Sequence, residues 1–266
     1  MKSLVLAITG ATSGIGRAIA IEGARRGARI AACGRNAAQL ESLRLEVEAL
    51  GQPCLCLTVD VSQESECRQF IQAIEAQYGR LDVLINNAGI SMRALFHELD
   101  LKVLKQVMDV NFWGTVFCSR YAMPLLLKSQ GSLVGISSVA GFQGLPGRTG
   151  YCASKFAMHG LLEAIRLENH DSGLHVLICC PGFTASNIRN TALNAQGNAQ
   201  GESPRDEQKM MTAAQVAVFT LNAVQQRKPK LVLTTQGKLT HLLGKFLPAF
   251  VNNQVIKVFQ RENQRP

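Results

Sequence analysis

The chain lacks long apolar runs, and it has few aromatic residues. No stretch reaches the roughly 18 apolar residues that a transmembrane helix needs, so the sequence predicts no membrane span. Aromatic residues make up 6% of the chain, and basic residues are not interleaved with them over a broad surface, which argues against nucleic-acid binding. Charged residues are 18% and apolar residues 47% of the total, a balance typical of a globular protein.

Cys-x-x-Cys pairs and metal-ligand spacings are also missing. The eight cysteines lie mostly in apolar runs such as Cys54-Leu55-Cys56-Leu57, where thiols usually serve as small core residues in a reducing compartment. The apolar start of the chain ends at Thr9-Gly10 without a cleavage site, so it predicts a first strand rather than a secretory signal. We therefore expect a cytoplasmic protein with no metal.

Acidic residues are scarce near the C-terminal end, so the net charge of +9 is unevenly distributed. From Arg227 onward there are eight basic residues and one acidic residue, which gives this segment +7. Apolar residues between Lys238 and Arg261 favour short amphipathic helices. Two interpretations stay open: peripheral contact with an anionic membrane, or packing on a substrate pocket or a partner subunit.

Short apolar runs alternate with longer helical stretches, which predicts a parallel sheet with crossover helices. The strands are apolar almost throughout, so both faces of the sheet should be covered. Predicted strands are 4–9, 29–33, 53–59, 81–85, 132–137, 174–179 and 230–234; predicted helices are 15–26, 37–50, 64–77, 101–128, 152–169 and 212–227. The polar segment 187–208 has no periodicity and suggests a lid or a mobile loop.

The first predicted strand is followed by a glycine-rich loop. It reads Thr9-Gly10-Ala11-Thr12-Ser13-Gly14-Ile15-Gly16 and opens a helix. Glycines allow the backbone to approach a pyrophosphate, and the helix N-terminus offers N–H groups and a positive dipole end. We predict that this loop binds a dinucleotide through Gly10, Thr12, Ser13, Gly14, Ile15 and Gly16.

The loop's spacing, Gly-x3-Gly-x-Gly, resembles that of the short-chain dehydrogenases/reductases. Further motifs follow in the family's order over about residues 3 to 235: Asp60-Val61, Asn86-Asn87-Ala88-Gly89, Asn111, Ser138, Tyr151-x3-Lys155 and Pro181-Gly182. The resemblance implies one α/β domain over 1–266, a three-layer, Rossmann-like, doubly wound parallel sheet of seven strands. A C-terminal helical extension covers 236–266. It also implies hydride transfer between a nicotinamide dinucleotide and a carbonyl or alcohol, in a homodimer or homotetramer.

Tyr151 and Lys155 are four residues apart, hence on one helix face. A neighbouring ammonium should favour the Tyr151 phenolate, which makes Tyr151 an acid and base near neutral pH. The resemblance implies that Ser138 holds the substrate oxygen, that Asn111 binds a relay water and that Lys155 also binds the nicotinamide ribose. The other implied cofactor contacts are Asp60 and Val61, Asn87, Ala88 and Gly89, and Pro181 and Gly182, with Thr184 and Ser186 competing for the carboxamide.

The second strand ends without an acidic residue. An NAD-selective site would carry a carboxylate here for the ribose hydroxyls, but no Asp or Glu occurs between Glu22 and Glu41. Arg35 instead offers a planar cation for a 2′-phosphate, although it could also cap the next helix or be solvated. We predict NADP(H).

The substrate pocket should lie between residues 142–150 and the polar segment. Phe142, Leu145 and Phe183 predict a partly apolar lipid-, steroid- or aromatic-like substrate, and Arg148 or Arg189 could anchor an anion. His159 is expected to pack on the helix face, and Ser137 to lie outside the site. The alternative functions are an isomerase or dehydratase on the same fold, and a non-catalytic NADPH sensor or scaffold.

Overall fold

A computed structural model describes residues 1–185, 188–201 and 210–263 of the chain. Its strands are β1 (Val5–Thr9), β2 (Arg29–Gly34), β3 (Cys54–Thr58), β4 (Val83–Asn86), β5 (Ser132–Ile136), β6 (His175–Cys180), β7 (Thr184–Ala185), β8 (Met211–Thr212) and β9 (Lys230–Val232). Its helices are α1 (Gly14–Arg25), α2 (Ala37–Ala49), α3 (Glu64–Tyr78), α4 (Leu101–Met108), α5 (Gly114–Ser129), α6 (Thr149–Glu168), α7 (Ala213–Gln225), α8 (Thr235–Phe246) and α9 (Pro248–Asn263).

Seven strands form one parallel sheet in the order β3-β2-β1-β4-β5-β6-β9. This confirms the predicted Rossmann-like, doubly wound sheet. The strand order reverses between β1 and β4, and ligands of open parallel sheets bind at the carboxyl ends of strands beside such a reversal. The fold thus places the ends of β1, β4 and β5 along one edge of the sheet.

Both faces of the sheet are buried, which explains the continuous apolar runs. Leu6 and Ile8 of β1 pack in one core with residues of α1, α2 and α7. Val5 and Ala7 pack in a second core with residues of α3, α5 and α6. Side chains alternate across a strand, so every residue of β1 needs an apolar neighbour.

The predicted continuous helix over 101–128 is wrong in one respect. A π-helical segment, Asp109–Trp113, separates α4 from α5. The wider turn carries Asn111, whose side chain is fully buried and whose amide nitrogen donates to the Ile90 carbonyl at 3.0 Å. A π-bulge often marks a functional position in a helix, and here it aims the Asn111 amide at the loop after β4.

The polar segment is fixed to the body of the protein over its described part, residues 188–201. Leu193 donates to the Ser91 carbonyl and Arg93 donates to that of Leu193, at 2.9 and 2.8 Å. Asp100 donates to the Ala195 carbonyl at 3.0 Å. This part therefore forms a wall beside the segment before α4.

The helical extension is confirmed, and its inner surface packs on residues 139–147. The rings of His241 and Phe142 meet edge to face with centroids 4.7 Å apart, and the Gln143 amide donates to Asn252 at 3.0 Å. Across the described parts of the chain, no helix combines the length and the apolar character that crossing a membrane requires.

Candidate active site

The glycine-rich loop between β1 and α1 is built around close backbone approaches. Gly10 and Gly14 have φ of +65° and +56°, in the left-handed region that favours glycine. A Cβ on Gly10 would lie 2.7 Å from the Ala88 Cα, and one on Gly16 would lie 2.4 Å from the Gly10 carbonyl oxygen. Larger residues at these positions would displace the loop.

The start of α1 suits an anion. Ser13 is the N-cap residue but makes no side-chain capping bond, and the first turn of α1 carries no acidic residue. The first N–H groups of a helix lack helical partners and lie at its positive dipole end. Together with the tight glycine cradle, these groups fit the diphosphate of a dinucleotide.

Asn87 locks the ends of β1 and β4 together. Its amide nitrogen donates to the carbonyls of Thr9 and Gly10 at 2.9 and 3.0 Å. The Thr9 hydroxyl accepts from the backbone N–H groups of Asn87 and Ala88, both at 3.0 Å. The side chain of Asn87, a predicted cofactor contact, therefore shapes the loop from behind.

Arg35 lies at the adenosine end of the expected site. It is exposed just after β2, and the cap of α2 comes from Asn36, whose side chain accepts from the Gln39 N–H at 3.0 Å. The alternative role of Arg35 as the helix cap is therefore wrong. A Cβ on Gly34 would lie 2.7 Å from the Thr12 methyl, so the chain before Arg35 touches the glycine-rich loop.

Asp60 and Val61 follow β3 on the same edge of the sheet. The Asp60 carboxylate accepts from the backbone N–H and the hydroxyl of Ser62 at 3.0 and 2.8 Å. Val61 is buried. These contacts fix the turn at which the family resemblance implies adenine binding.

Ser138, Tyr151 and Lys155 come together at the end of β5. Ser138 begins a short 3-10 helix, Val139–Gly141, and its hydroxyl accepts from the Ala140 N–H at 3.2 Å. The Lys155 Nζ donates to the Ile136 carbonyl at 2.9 Å and lies 5.8 Å from the centre of the Tyr151 ring. Strand β5 and helix α6 thus position this group from two directions.

Asn111 joins the group from the π-helical segment. Its amide nitrogen also donates to the Ser154 hydroxyl at 2.9 Å, and its oxygen accepts from the Ile90 N–H at 2.8 Å. A Cβ on Gly89 would lie 3.2 Å from the Asn111 oxygen and 3.6 Å from the Lys155 Nζ. Both side chains therefore face Gly89; the water relay stays a prediction.

Burial shifts the pKa values of both Tyr151 and Lys155. Burial raises the pKa of Tyr151, while the hydroxyl of Ser138 and the charge of Arg148 lower it. Burial also lowers the pKa of Lys155 to about 8, and its ammonium is directed at the Ile136 carbonyl. Ser138 and Arg148 thus favour the phenolate, and the same effect of Lys155 stays a prediction.

The two arginines considered as anion anchors brace neighbouring segments. Arg148 donates to the Ser91 hydroxyl at 2.7 Å. Arg189 is buried and donates to the Thr184 carbonyl at 2.8 Å. These bonds fix the loop after β4 and the short strand β7.

The segment after β6 supplies the last predicted cofactor contacts. Pro181 is buried, and the Thr184 hydroxyl donates to the Gly182 carbonyl at 3.2 Å. A Cβ on Gly182 would lie 2.4 Å from the Thr234 hydroxyl oxygen, so this turn packs closely against the start of α8. Ser186 lies outside the described residues.

Apolar side chains adjoin the reacting group. Tyr151 packs against a cluster that contains Met92, Val107 and Leu193. Phe142 is half-buried, while Phe183 is exposed. Tyr151 therefore has an apolar wall on the side of the polar segment.

Sequence reasoning missed a polar pair behind this group. His159 was expected to pack on the helix face, but its Nε2 lies 2.8 Å from the Ser137 hydroxyl. The sequence signal for this pair was the position of His159 one turn after Lys155, together with that of Ser137 directly before Ser138.

Comparison with known proteins identifies the family to which the chain is similar. The short chain dehydrogenase family matches residues 4–197. Dehydrogenase/reductase SDR family member 7B of Mus musculus is 32% identical over 88% of this chain and 74% of its own length. 11-beta-hydroxysteroid dehydrogenase A of Arachis hypogaea is 40% identical over 73% of this chain and 56% of its own.

Solved structures share the fold. A short chain dehydrogenase/reductase from Burkholderia phymatum, in complex with NAD, has a TM-score of 0.79 and 24% identity over 92% of this chain and 95% of its own. An alcohol dehydrogenase from Thermococcus sibiricus, complexed with 5-hydroxy-NADP, has a TM-score of 0.74 and 21% identity over 86% and 94%. With the family match over residues 4–197, the chain belongs to the short-chain dehydrogenase family of oxidoreductases.

Proposed function

We propose that this protein is an NADPH-dependent oxidoreductase that interconverts a ketone or aldehyde and an alcohol. The observation that carries the proposal is the meeting of Ser138, Tyr151 and Lys155 at the end of β5, on the edge of the sheet that holds the glycine-rich loop. A proton donor, a hydroxyl and a cation at this edge of the sheet support hydride transfer with a nicotinamide dinucleotide.

Each side chain has a separate task. Tyr151 gives the proton of its hydroxyl to the carbonyl oxygen during reduction, and its phenolate takes one from the alcohol hydroxyl during oxidation. The Ser138 hydroxyl hydrogen-bonds the same oxygen and stabilises the charge that develops on it. Lys155 holds the end of β5 through the Ile136 carbonyl, and Asn111 holds the loop after β4. When bound, the cofactor supplies or accepts the hydride.

The preference for NADPH rests on charge at the end of β2. Arg35 is exposed there and no acid lies between Glu22 and Glu41, so a 2′-phosphate finds a cation and no repelling carboxylate. A hydrogen bond between charged groups contributes about 1.5–3 kcal/mol, or roughly ten- to a hundredfold in affinity.

Titration of NADPH and NADH into wild type and Arg35→Ala tests this preference. We expect the dissociation constant for NADH divided by that for NADPH to fall by roughly tenfold or more in Arg35→Ala. Arg25→Ala is the matched control, since Arg25 is exposed at the far end of α1. An Arg35→Ala variant that keeps the wild-type ratio contradicts the assignment.

The substrate is proposed to be partly apolar, because Tyr151 packs against the apolar cluster that contains Met92 and Val107. The names of several relatives point to hydroxysteroids, which belong to this class. A panel of steroid, aromatic and long-chain ketones, assayed with NADPH, should give higher kcat/KM than small polar ketones. No turnover of any ketone or alcohol, with NADPH binding intact, would instead support a sensor or scaffold.

We also propose peripheral membrane contact by an apolar surface on α8 and α9. Six side chains that are 46–74% exposed define this C-terminal surface: Leu239, Leu242, Phe246, Leu247, Phe250 and Ile256. Lys238, Lys245 and Lys257 are exposed on the same helices, and no acidic residue occurs between Glu207 and Glu262. Exposed apolar groups among cations suit an anionic lipid surface.

Vesicle co-sedimentation tests this contact. Wild type should bind phosphatidylcholine vesicles that contain phosphatidylserine, and Phe246→Glu with Phe250→Glu should bind at least tenfold less. Leu167→Glu is the matched control, because Leu167 is 73% exposed at the end of α6. Negligible binding of wild type would remove the proposal and leave the location in the cytoplasm as the simpler prediction.

A further inference from the structure

His159 is a buried polar side chain that the proposed reaction does not use. It lies on α6 one turn after Lys155 and is 8% exposed. Its Nε2 lies 2.8 Å from the hydroxyl of Ser137, which is 5% exposed. Burying a polar group costs free energy unless the group is hydrogen-bonded. Because His159 and Ser137 pair with each other, their side chains are held in one geometry inside the protein.

Lys155 and His159 hold consecutive residues at the end of β5. The Lys155 Nζ donates to the Ile136 carbonyl, and His159 pairs with the side chain of Ser137, the next residue. The Ser137 N–H donates to the Cys179 carbonyl at 2.7 Å. The backbone that leads into Ser138 is therefore fixed from α6 on one side and from β6 on the other.

The turn after Ser138 rests on the same pair. A Cβ on Gly141 would lie 2.6 Å from the His159 Nε2 and 2.6 Å from the Ser137 hydroxyl oxygen. Glycine therefore lets the short 3-10 helix approach the pair closely. Ser137, directly before Ser138, and Gly141, in the turn after it, thus both lie against His159.

His159 is surrounded in a way that keeps it neutral. Lys155 and Glu163 face it on α6, Lys230 faces it from β9 and His241 faces it from α8. Burial is the main cause that lowers its pKa to about 4. The pair with Ser137 therefore keeps one protonation state across the neutral range.

We propose that His159, acting through Ser137, is a positioning residue that orients the Ser138 hydroxyl toward the substrate oxygen and Tyr151. The inference rests on the proposed function and deepens it. A small displacement of a group that touches the reacting atoms can cost up to a hundredfold in rate. Loss of the pair should therefore lower kcat more than it raises KM.

The first test compares His159→Leu, Ser137→Ala, their double variant and His159→Gln. We expect His159→Leu and Ser137→Ala each to lower kcat about tenfold with KM within about twofold. The double variant should cost no more than His159→Leu, because both single variants break the pair with Ser137. His159→Leu also removes the contact of Nε2 with the Cys180 thiol at 3.6 Å. Glutamine places an amide near the position of Nε2, so His159→Gln should keep more than half of the wild-type kcat.

The pH profile separates positioning from general loss of structure. The Ser138 hydroxyl lowers the pKa of Tyr151, and alcohol oxidation needs the Tyr151 phenolate. A misplaced Ser138 should therefore move the rise of kcat with pH to higher pH in His159→Leu but not in His159→Gln. A variant that is only destabilised would keep the wild-type profile.

A second serine–histidine pair, which joins β5 to β6 instead of β5 to α6, supplies the control. His175 Nδ1 lies 3.0 Å from the Ser132 hydroxyl at the opposite end of β5 and β6, and both residues are buried. His175→Leu should lower the melting temperature and leave kcat and the pH profile unchanged. If it changes kcat as much as His159→Leu does, the positioning role is wrong.

Crystal structures of wild type and His159→Leu give a readout that does not depend on turnover. The Ser138 hydroxyl should rotate or move away from Tyr151 in His159→Leu and stay in place in His159→Gln. An unmoved Ser138 overturns the inference even if kcat falls. A wild type without hydride transfer refutes the proposed function instead, and the two failures are thus distinguishable.

Discussion

At the scale of single residues, the proposed chemistry depends on how burial shifts the pKa values of a few polar groups. Burial raises the pKa of Tyr151 and lowers that of Lys155 to about 8, so both changes favour the neutral forms. Ser138 and Arg148 oppose the change at Tyr151. The phenol therefore holds its proton at neutral pH, and Ser138 and Arg148 limit the effect of burial on its pKa.

Replacing Tyr151 with phenylalanine removes only the hydroxyl that transfers the proton. General acid–base catalysis contributes about 10²–10⁴-fold, so Tyr151→Phe should lower kcat by at least a hundredfold with NADPH affinity little changed. Tyr121→Phe is the matched control: its hydroxyl is exposed and donates to Glu64. Steady-state kinetics and NADPH titration measure kcat and NADPH affinity for the two variants. A kcat of Tyr151→Phe within tenfold of the wild-type value would count against the assignment.

At the scale of secondary-structure elements, the glycine-rich loop and the two ends of β5 show how packing sets function. The loop takes its shape from α1, from β4 through Asn87 and from the end of β2 through Gly34. The carboxyl end of β5 carries reactive groups, while its other end carries the pair Ser132 and His175. The proposed catalytic residues and the Ser132–His175 pair thus lie at opposite ends of one strand.

Gly16→Ala tests the loop. The added Cβ would meet the Gly10 carbonyl oxygen and the Asn87 amide nitrogen, each at 2.4 Å, so we expect NADPH affinity to fall more than tenfold in titration calorimetry. Gly160→Ala is the control in α6, where a Cβ would meet no atom within 4 Å. It should leave binding unchanged and stabilise the helix by about 0.5–1 kcal/mol.

The pair at the other end of β5 makes stability depend on pH. Burial is the main cause that lowers the pKa of His175 below its usual 6.5, so the folded state prefers neutral histidine while the unfolded chain binds a proton. The free energy of unfolding should therefore fall as pH falls below about 6.5. His159 acts in the same direction, because its pKa is lowered to about 4.

Urea unfolding between pH 7 and pH 5 measures this effect. His175→Gln should flatten the dependence in part, since the contribution of His159 remains. Gly160→Ala, which changes no titratable group, gives the control and should keep the wild-type slope. An unchanged slope in His175→Gln would mean that other groups carry the acid sensitivity.

At the scale of the whole molecule, one edge of the sheet gathers the proposed site residues that the structure describes. The C-terminal helices add an inner surface that packs on residues 139–147 and an outer surface that exposes apolar groups. The two interpretations of the tail are compatible, because they concern opposite sides of α8 and α9.

The oligomeric state stays a prediction from the family resemblance. Light scattering after size exclusion should give two or four times the chain mass of 28.9 kDa. Exposed Trp113 and Phe156 are candidates for contact between copies, so Trp113→Glu with Phe156→Glu should lower the measured mass. A monomeric wild type would contradict the expectation.

The order of strands and helices along the chain, the glycine-rich loop and the family could all be predicted from the sequence, because they depend on local periodicity and on spacing. The positions of the polar partners follow only from how the elements pack. The π-helical turn at Asn111, the bond from Lys155 to Ile136 and the pair of His159 and Ser137 join residues 19 to 22 positions apart in the chain. No local pattern encodes such contacts, since they arise when α6 packs on β5 and when the π-helical turn packs on the loop after β4.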